Sequence, residues 1–340
     1  MTTARSTSSP TPLAAKDFAS DQEVRWCPGC GDYAILKAIQ KTLAEVGARR
    51  ENTVFISGIG CAARFPYYMD TYGFHTIHGR APALATGAKL ANPDLDVWVI
   101  TGDGDGLSIG GNHMLHVLRR NVDLQIVLFN NQVYGLTKGQ VSPTSRVGTR
   151  SPSTPRGSIS RPVNPAAMAL GAGARFVARA IDIDQAHLTD VLKSAREHRG
   201  TSFVEIFQNC VVFNDGAFSA FADRKAAESR VVARHGEPLR YGVEGAKGLR
   251  LRPGSLELEI VEVGDAGVPE AELLVHDETS RPLASMLAEL EPPDFPMVLG
   301  VLYRDPAPVY EEEVYSQLEP DRERRTLREL LHAGRTWRVG

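Results

Sequence analysis

Short apolar runs alternate with helical patterns between about residues 21 and 215, and this alternation constrains the fold more than any other feature. Five runs have the composition and length of buried strands: TVFIS (53–57), DVWVI (96–100), LQIVLF (124–129), ARFVARA (174–180) and SFVEIF (202–207). Three segments between them have helical periodicity, at residues 32–47, 107–120 and 184–199. Strands that alternate with helices are joined by right-handed crossovers. The sequence therefore predicts an α/β fold, a mostly parallel sheet with helices on both faces.

Polar residues follow two of these strands where each strand ends. GDGDG (102–106) follows DVWVIT, and Asn131 follows the next predicted strand. Because parallel strands end at the same edge of a sheet, we expect Asp103 and Asn131 to lie side by side. Carboxylate, amide and backbone carbonyl oxygens suit Mg²⁺, and glycines let backbone N–H groups approach a diphosphate. This edge is therefore predicted to bind a magnesium ion together with a diphosphate.

A second glycine-rich segment resembles a dinucleotide fingerprint but lacks its context. SGIGCAA (57–63) matches the pattern G-x-G-x-x-A after a predicted strand. Pro66 breaks any helix that would follow, and no acidic residue ends a strand about twenty positions further on, where a ribose would need it. We therefore do not expect a nicotinamide cofactor.

The chain has four cysteines, Cys27, Cys30, Cys61 and Cys210. The first two form the CxxC of WCPGCG, where a Pro-Gly turn lets both sulfurs face one centre. The other two follow predicted strands and are expected at the same edge of the sheet as Asp103. A [4Fe–4S] cluster, a structural zinc ion and independent buried thiols are all compatible with this pattern.

The order and spacing of these motifs resemble known families. GDG followed at this distance by NN is similar to the motif of thiamine diphosphate enzymes, which implies that Asp103, Asn131 and the backbone carbonyl of Val133 hold Mg²⁺. CPGCG, GIGC, HGR, GDGD, NNQVYGLTKGQ and the last cysteine together resemble the β subunits of 2-oxoacid:ferredoxin oxidoreductases over about residues 21–215. The chain is more similar to the two-subunit 2-oxoglutarate type than to the single-chain pyruvate type.

The resemblance implies oxidative decarboxylation of a 2-oxoacid, preferably 2-oxoglutarate, with coenzyme A to acyl-CoA (here succinyl-CoA) and CO₂, and transfer of the electrons to ferredoxin. It implies thiamine diphosphate, Mg²⁺ and a [4Fe–4S] cluster as cofactors. It also implies an α subunit that carries the pyrimidine-binding module and the activating glutamate, so the chain alone is expected to be inactive. The alternatives are pyruvate or broad 2-oxoacid specificity, a non-redox thiamine lyase or carboligase, and a zinc-binding module without catalysis.

Residue roles follow from the same resemblance. His78 is expected near the diphosphate or the reacting centre, and Arg64 is a candidate to hold a substrate carboxylate by a forked hydrogen bond. Both are also compatible with ordinary surface positions, as is Lys138, which could contact substrate or coenzyme A. The implied cofactor-binding residues are Ile59, Gly60, Cys61, His78, Gly79, Arg80, Gly102, Asp103, Gly104, Asp105, Asn131, Val133, Gly135, Leu136 and Thr137.

The composition divides the chain into three parts. Residues 1–20 are predicted as a disordered tail, 21–222 as the thiamine diphosphate-binding domain with its iron–sulfur cluster, and 223–340 as a C-terminal α+β extension that packs on the core or on a partner subunit. Within the domain, 142–163 is predicted as a long loop, and a lid, a loop that contacts ligands and a disordered or solvated insert are all compatible with it. The extension is predicted to contain a hairpin (249–263), a short helix (283–290), a strand (295–304) and one charged amphipathic helix from residue 311 to 334.

Charge and hydropathy limit the partners. The net charge of −3 gives no basic surface for nucleic acid or anionic lipid. No apolar run approaches the roughly 18–20 residues that span a bilayer, and the first twenty residues contain no signal-peptide core. We therefore expect a cytoplasmic protein without a nucleic-acid or membrane partner.

Overall fold

A mostly parallel sheet of eight strands organises the chain. The computed structural model describes residues 12–223, 226–265, 267–318 and 326–337. The strands are β1 (Thr53–Ser57), β2 (Tyr72–His75), β3 (Asp96–Gly102), β4 (Leu124–Asn130), β5 (Phe176–Ile181), β6 (Thr201–Phe207), β7 (Arg230–Ala233), β8 (Arg240–Tyr241), β9 (Lys247–Leu251), β10 (Leu258–Glu262) and β11 (Met297–Arg304). The large sheet has the order β2-β1-β3-β4-β6-β5-β11-β7, and only the β5–β11 pair is antiparallel.

Helices cover both faces of this sheet. They are α1 (Asp32–Glu45), α2 (Ala81–Ala91), α3 (Asp103–Leu107), α4 (Gly111–Arg120), α5 (Pro165–Gly171), α6 (Gln185–Glu197), α7 (Ser219–Ala222), α8 (Arg281–Ala288), α9 (Tyr310–Leu318) and α10 (Leu327–His332). Val54 and Ile56 of β1 belong to one apolar core with α2, α4, α5 and α8, whereas Phe55 belongs to a second core with α1 and α6. Alternate strand residues thus point to opposite helical layers. The predicted fold class is confirmed.

The register of the central strands places their ends at one edge. Gly102, the last residue of β3, pairs with Phe129 of β4, and Asn130 of β4 pairs with Phe207 of β6. Since these strands are parallel, the segments that follow them leave the sheet side by side. The loop after β1, which pairs with β3, emerges at the same edge.

The predicted helix 107–120 differs from the structure. It consists of α3 and α4, and the backbone breaks between them at Ser108, with φ −90° and ψ −103°. The break brings Gly110 against Gly79, where a Cβ on Gly79 would lie only 2.4 Å from the Gly110 Cα. This contact between two loops requires a turn that one continuous helix would not allow.

The C-terminal region adds strands to the main sheet. β7 and β11 extend it beyond β5, so these two strands share a sheet with the preceding residues, whereas β8, β9 and β10 form a separate antiparallel sheet. The predicted hairpin is confirmed as β9 and β10, with Arg250 paired to Glu259 at 2.7 Å and Arg252 to Glu257 at 2.6 Å. The predicted strand 295–304 and helix 283–290 correspond to β11 and α8.

Two predictions for the chain ends need correction. The prediction of a single C-terminal helix from 311 to 334 is wrong, because Thr326 has extended backbone and caps α10 through its side chain. Residues 319–325 lie outside the described residues.

The predicted disordered tail at the N-terminus is only partly described. Residues 1–11 lie outside the described part, but Ala15–Phe18 form a 3₁₀ turn and Phe18 is fully buried. Burying an aromatic side chain contributes about 2 kcal/mol, which holds this segment on the core. No helix in the described ranges is long and apolar enough to cross a membrane.

His198 is buried without a polar partner. It follows α6, is 3% exposed, and its ring centroid lies 5.4 Å from that of Phe176. Neither ring nitrogen has a hydrogen-bond partner among the described residues. Burial, helped by the nearby Arg304, lowers the pKa of His198 from 6.5 to about 4, although Asp123 and Asp305 act in the opposite direction.

We predict that His198 makes stability fall in mild acid. Between pH 6.5 and about 4 the unfolded chain binds a proton at His198 that the folded chain does not bind, so its contribution is present above pH 6.5 and is lost as the pH falls toward 4. The loss is on the order of 3 kcal/mol. Urea unfolding of His198→Phe across this range should show a shallower pH dependence than wild type. The exposed His116→Phe is the control, and equal slopes in both variants would contradict the prediction.

Candidate active site

Asp103 is buried at the start of α3, directly after β3. The hydroxyls of Ser142 and Thr144 donate to its Oδ2 at 2.5 Å and 2.6 Å, and the Thr144 hydroxyl also lies 3.0 Å from Asn130 Oδ1. Burial raises the pKa of Asp103, while the two hydroxyls and the backbone N–H of Asn131 oppose that rise. The carboxylate is therefore held in one orientation at the end of β3.

The two hydroxyls belong to the predicted loop 142–163. That segment has no regular helix or strand, as predicted, but its first residues are buried in the site. Ser145 adds to the attachment, since its hydroxyl donates to the Gln132 carbonyl at 2.6 Å. The sequence analysis missed Ser142 and Thr144. The available signal was the run Ser-Pro-Thr-Ser shortly after NN, because such residues bond through their side chains in turns.

Asn131 lies beside Asp103 and is held at both ends of its amide. Its Nδ2 donates to Gln208 Oε1 at 2.9 Å, and its Oδ1 accepts from the Val133 N–H at 3.2 Å. Asp103, Asn131 and Val133 all line one cavity at this edge of the sheet. The structure therefore brings the three predicted magnesium ligands together.

Most of the predicted cofactor-binding residues line the same cavity. They are Ile59, Gly60, Cys61, His78, Gly102, Asp103, Gly104, Asp105, Asn131, Val133, Gly135, Leu136 and Thr137. Gly79 and Arg80 do not line it: the N–H of Gly79 faces Asp105, and Arg80 precedes the first turn of α2. The sequence analysis missed Ala62, Phe129 and Tyr134, which also line the cavity.

The Asp105 carboxylate joins three segments of this edge. Its Oδ1 accepts the backbone N–H groups of Ile59 at 3.1 Å and Gly79 at 2.7 Å. Its Oδ2 accepts the Thr101 hydroxyl at 2.7 Å. Both oxygens are therefore used to hold the loop after β1 and the turn before α2 against the end of β3.

The four cysteines surround a second cavity. Cys27, Cys30, Cys61 and Cys210 are free thiols and line a space of about 240 Å³. They do not converge on one point, since no group of three or more His, Cys, Asp or Glu residues in the described ranges is placed to hold a single ion. Gly135 lines both cavities, and a Cβ there would lie 3.6 Å from Cys61 Sγ and 3.7 Å from Cys210 Sγ. Cys61 and Gly135 thus lie where the two cavities meet.

Burial disfavours the charged thiolate form of Cys30 and Cys61. It raises the pKa of Cys61 to about 11, with a further rise from Asp32 and an opposing effect of Arg64. It also raises the pKa of Cys30 far above its ordinary value, again with a contribution from Asp32. Burial raises the pKa of Asp32 itself to about 7. A cation that binds these thiols must therefore displace their protons.

The predicted substrate-binding cations lie beside the thiols. Arg64 is half-buried, donates from Nη1 to the Arg25 carbonyl at 2.6 Å, and lines both the cysteine cavity and an adjoining open cavity of about 410 Å³. Lys138 lines the cysteine cavity. His78 is exposed and lines the Asp103 cavity instead. His78 and Arg64 therefore line different cavities, and their roles stay predictions.

Comparisons with known proteins agree with this geometry. The family described as thiamine pyrophosphate enzyme, C-terminal TPP binding domain, matches residues 58–206. The chain is 51% identical to 2-oxoglutarate oxidoreductase subunit KorB of Mycobacterium tuberculosis over 336 residues, which cover 96% of this chain and 89% of that protein. The chain belongs to the 2-oxoacid:ferredoxin oxidoreductase β subunits. The resemblance inferred from the motifs is confirmed.

Other members of the family are less similar but match most of the chain. The chain is 36% identical to 2-oxoglutarate synthase subunit KorB of Methanothermobacter thermautotrophicus, over 73% of this chain and 84% of that protein. A solved structure of 2-oxoglutarate:ferredoxin oxidoreductase from Magnetococcus marinus, with 2-oxoglutarate, coenzyme A and succinyl-CoA bound, matches with a TM-score of 0.75 and 34% identity. That match covers 95% of this chain and 97% of the other, so it includes most of the C-terminal region.

We predict that Asp105→Ala destabilises the site without removing a proposed metal ligand. The substitution leaves the Ile59 and Gly79 N–H groups and the Thr101 hydroxyl without their acceptor. Unmade hydrogen bonds of buried groups cost about 1–3 kcal/mol each, so the free energy of unfolding should fall by about 3 kcal/mol or more. Denaturant unfolding measures this change. The exposed Asp94→Ala is the control, and similar stability of the two variants would refute the role of Asp105.

Proposed function

We propose that this chain is the β subunit of a thiamine diphosphate- and [4Fe–4S]-dependent 2-oxoacid:ferredoxin oxidoreductase that acts on 2-oxoglutarate. The reaction is oxidative decarboxylation with coenzyme A, which yields succinyl-CoA and CO₂. The observation that carries the proposal is the pair of adjacent cavities: three oxygen donors line one, four cysteines line the other, and Cys61, Asn131 and Gly135 line both.

The first cavity fits magnesium diphosphate. The Asp103 carboxylate, the Asn131 side-chain oxygen and the Val133 carbonyl are hard oxygen donors, which Mg²⁺ prefers. The hydroxyls of Ser142 and Thr144 fix one oxygen of Asp103, so the carboxylate needs little reorganisation to bind a cation. We assign these three residues as the protein ligands of Mg²⁺.

The second cavity fits an iron–sulfur cluster. Four thiols around one apolar space are the usual ligand set of a [4Fe–4S] cluster, and we assign Cys27, Cys30, Cys61 and Cys210 to it. When bound, thiamine diphosphate supplies an electron sink for decarboxylation and the cluster a one-electron acceptor. The contribution of the chain is to hold the two groups at adjacent cavities.

The cations near the thiols support a dicarboxylate substrate. Arg64 presents a planar guanidinium that can bind a carboxylate through two hydrogen bonds, and Lys138 adds a second positive charge at the same cavity. 2-Oxoglutarate has two carboxylates and pyruvate has one, so two cations favour the larger substrate. His78, exposed in the first cavity, is proposed to contact the diphosphate or the substrate.

The proposed assembly requires other chains. We infer an α subunit that carries the pyrimidine-binding half and the activating glutamate, and ferredoxin as the electron acceptor. Residues 21–222 form the proposed cofactor domain, and 223–340 the extension that adds β7 and β11 to its sheet. Four free cysteines are compatible with the reducing cytoplasm, where we place the enzyme.

We predict that two substitutions separate the two cofactor sites. The αβ complex, purified without oxygen, should be brown and contain iron, acid-labile sulfide and thiamine diphosphate. Cys210→Ser should lose iron and the visible absorbance but keep thiamine diphosphate, because Asp103 is intact. Asp103→Ala should lose thiamine diphosphate and keep iron. Metal analysis and cofactor quantification distinguish these results, and a colourless wild-type complex with zinc would reject the proposal.

We predict a preference for 2-oxoglutarate over pyruvate when coenzyme A-dependent reduction of ferredoxin or a viologen is measured. Loss of a charge-assisted hydrogen bond costs about 1.5–3 kcal/mol, so Arg64→Gln should lower kcat/KM for 2-oxoglutarate by about 10- to 100-fold. Arg49→Gln is the control, because that side chain is exposed, pairs with Glu51 and lines neither of the two cavities that Arg64 lines. Turnover of pyruvate alone would reject the proposed substrate.

A further inference from the structure

Gln208 lies between the two proposed cofactor sites. It directly follows β6 and is 1% exposed. Its Oε1 accepts from Asn131 Nδ2 at 2.9 Å, while its Nε2 donates to Cys30 Sγ at 3.3 Å and to the Asn209 carbonyl at 2.6 Å. One side chain therefore contacts a proposed magnesium ligand and a proposed cluster ligand.

We propose that Gln208 is a positioning residue for both cofactors: it orients the Asn131 amide for magnesium and donates a hydrogen bond to the Cys30 sulfur. This inference rests on the proposed function, because it concerns residues assigned above as ligands. It adds to that function a direct physical link between the two sites.

The orientation of the Gln208 amide is determined by the backbone. The Asn209 carbonyl can only accept hydrogen bonds, so the Gln208 nitrogen must face it. The Gln208 oxygen then faces Asn131, which must present its own nitrogen there. This turns the Asn131 oxygen toward Val133, whose N–H it accepts. Because a carbonyl oxygen has two lone pairs, one remains for a cation.

Close packing holds Gln208 in place. A Cβ on Gly31 would lie 3.0 Å from Gln208 Cγ and 1.9 Å from Asp182 Oδ2, so only glycine lets these side chains approach the CPGCG turn. The same Asp182 oxygen accepts the Asn209 N–H at 2.8 Å, and the Asn209 carbonyl also accepts the Gly31 N–H at 3.2 Å. Gln208 is therefore confined between the cysteine turn and the end of β6.

Both contacts have consequences that can be measured. An N–H donor at a cluster sulfur stabilises the more negative, reduced state and raises the reduction potential. A side chain that orients a metal ligand typically changes metal affinity by about 10- to 100-fold when it is removed. A merely structural role would change neither the potential nor the metal affinity selectively.

The test uses the αβ complex with Gln208→Leu and Gln208→Glu. The midpoint potential is measured by redox titration with electron paramagnetic resonance, and the metal site is probed with Mn²⁺ in the presence of thiamine diphosphate. Gln208→Leu should lower the potential and weaken Mn²⁺ binding by about 10- to 100-fold. Gln208→Glu keeps an acceptor for Asn131 but loses the N–H donors, so it should lower the potential and retain Mn²⁺ affinity close to that of wild type.

Gln125→Leu is the matched control. Gln125 is also buried in this sheet but lies near the start of β4, at the opposite edge from the site. Wild-type potential and Mn²⁺ affinity in both Gln208 variants would overturn the inference, and so would equal changes in the Gln125 variant. If Gln208→Leu fails to assemble, Gln208→Met, which has a similar volume, no N–H donor and no charge, decides the hydrogen bond to Cys30 through the midpoint potential. A wild-type complex without iron would instead reject the proposed function, and the Mn²⁺ measurements would still decide the role of Gln208 toward Asn131.

Discussion

The parallel pairing of β3 with β4 is the constraint on which the whole site depends. Gly102 lies opposite Phe129, so Asp103 and Asn130 are the next residues on neighbouring strands, and Asn131 follows. A shift of one residue would move every side chain of a strand to the other face of the sheet and would disrupt both apolar cores. The register that buries the core is therefore the same register that brings the proposed magnesium ligands together.

Buried carboxylates hold the loops that these strands position. Asp103 accepts two hydroxyls from the loop after Asn131, and Asp105 accepts two backbone N–H groups from the loops beside it. These loops have little regular structure of their own. Because buried donors without partners are costly, each carboxylate fixes the loop that surrounds it more strictly than apolar contacts alone would. The two aspartates of GDGDG thus both hold loops, and Asp103 is in addition the proposed magnesium ligand.

Local sequence patterns predicted the central strands, the meeting of the GDG and NN motifs and the grouping of the four cysteines. Each of these features depends on residues close in sequence or on strand ends. The remaining errors involve contacts between distant segments. The break between α3 and α4 depends on Gly79, and the addition of β7 and β11 to the main sheet depends on pairing across more than a hundred residues for β11. Gln208 belongs to no motif and Thr144 only to the run Ser-Pro-Thr-Ser, and only the folded edge shows which groups their side chains contact.

The two cavities share a wall, and this limits how independently they can change. Asn131 and Gly135 line both of them, so the short segment after β4 forms one side of each. A Cβ at Gly135 would be in van der Waals contact with the sulfurs of Cys61 and Cys210, while a shift of Asn131 would move Gln208 and with it the contact to Cys30. The backbone at Gly135 and the side chain of Gln208 therefore set the separation of the two sites. A rearrangement that changes one site must change the other, which is the physical reason to treat them as one centre.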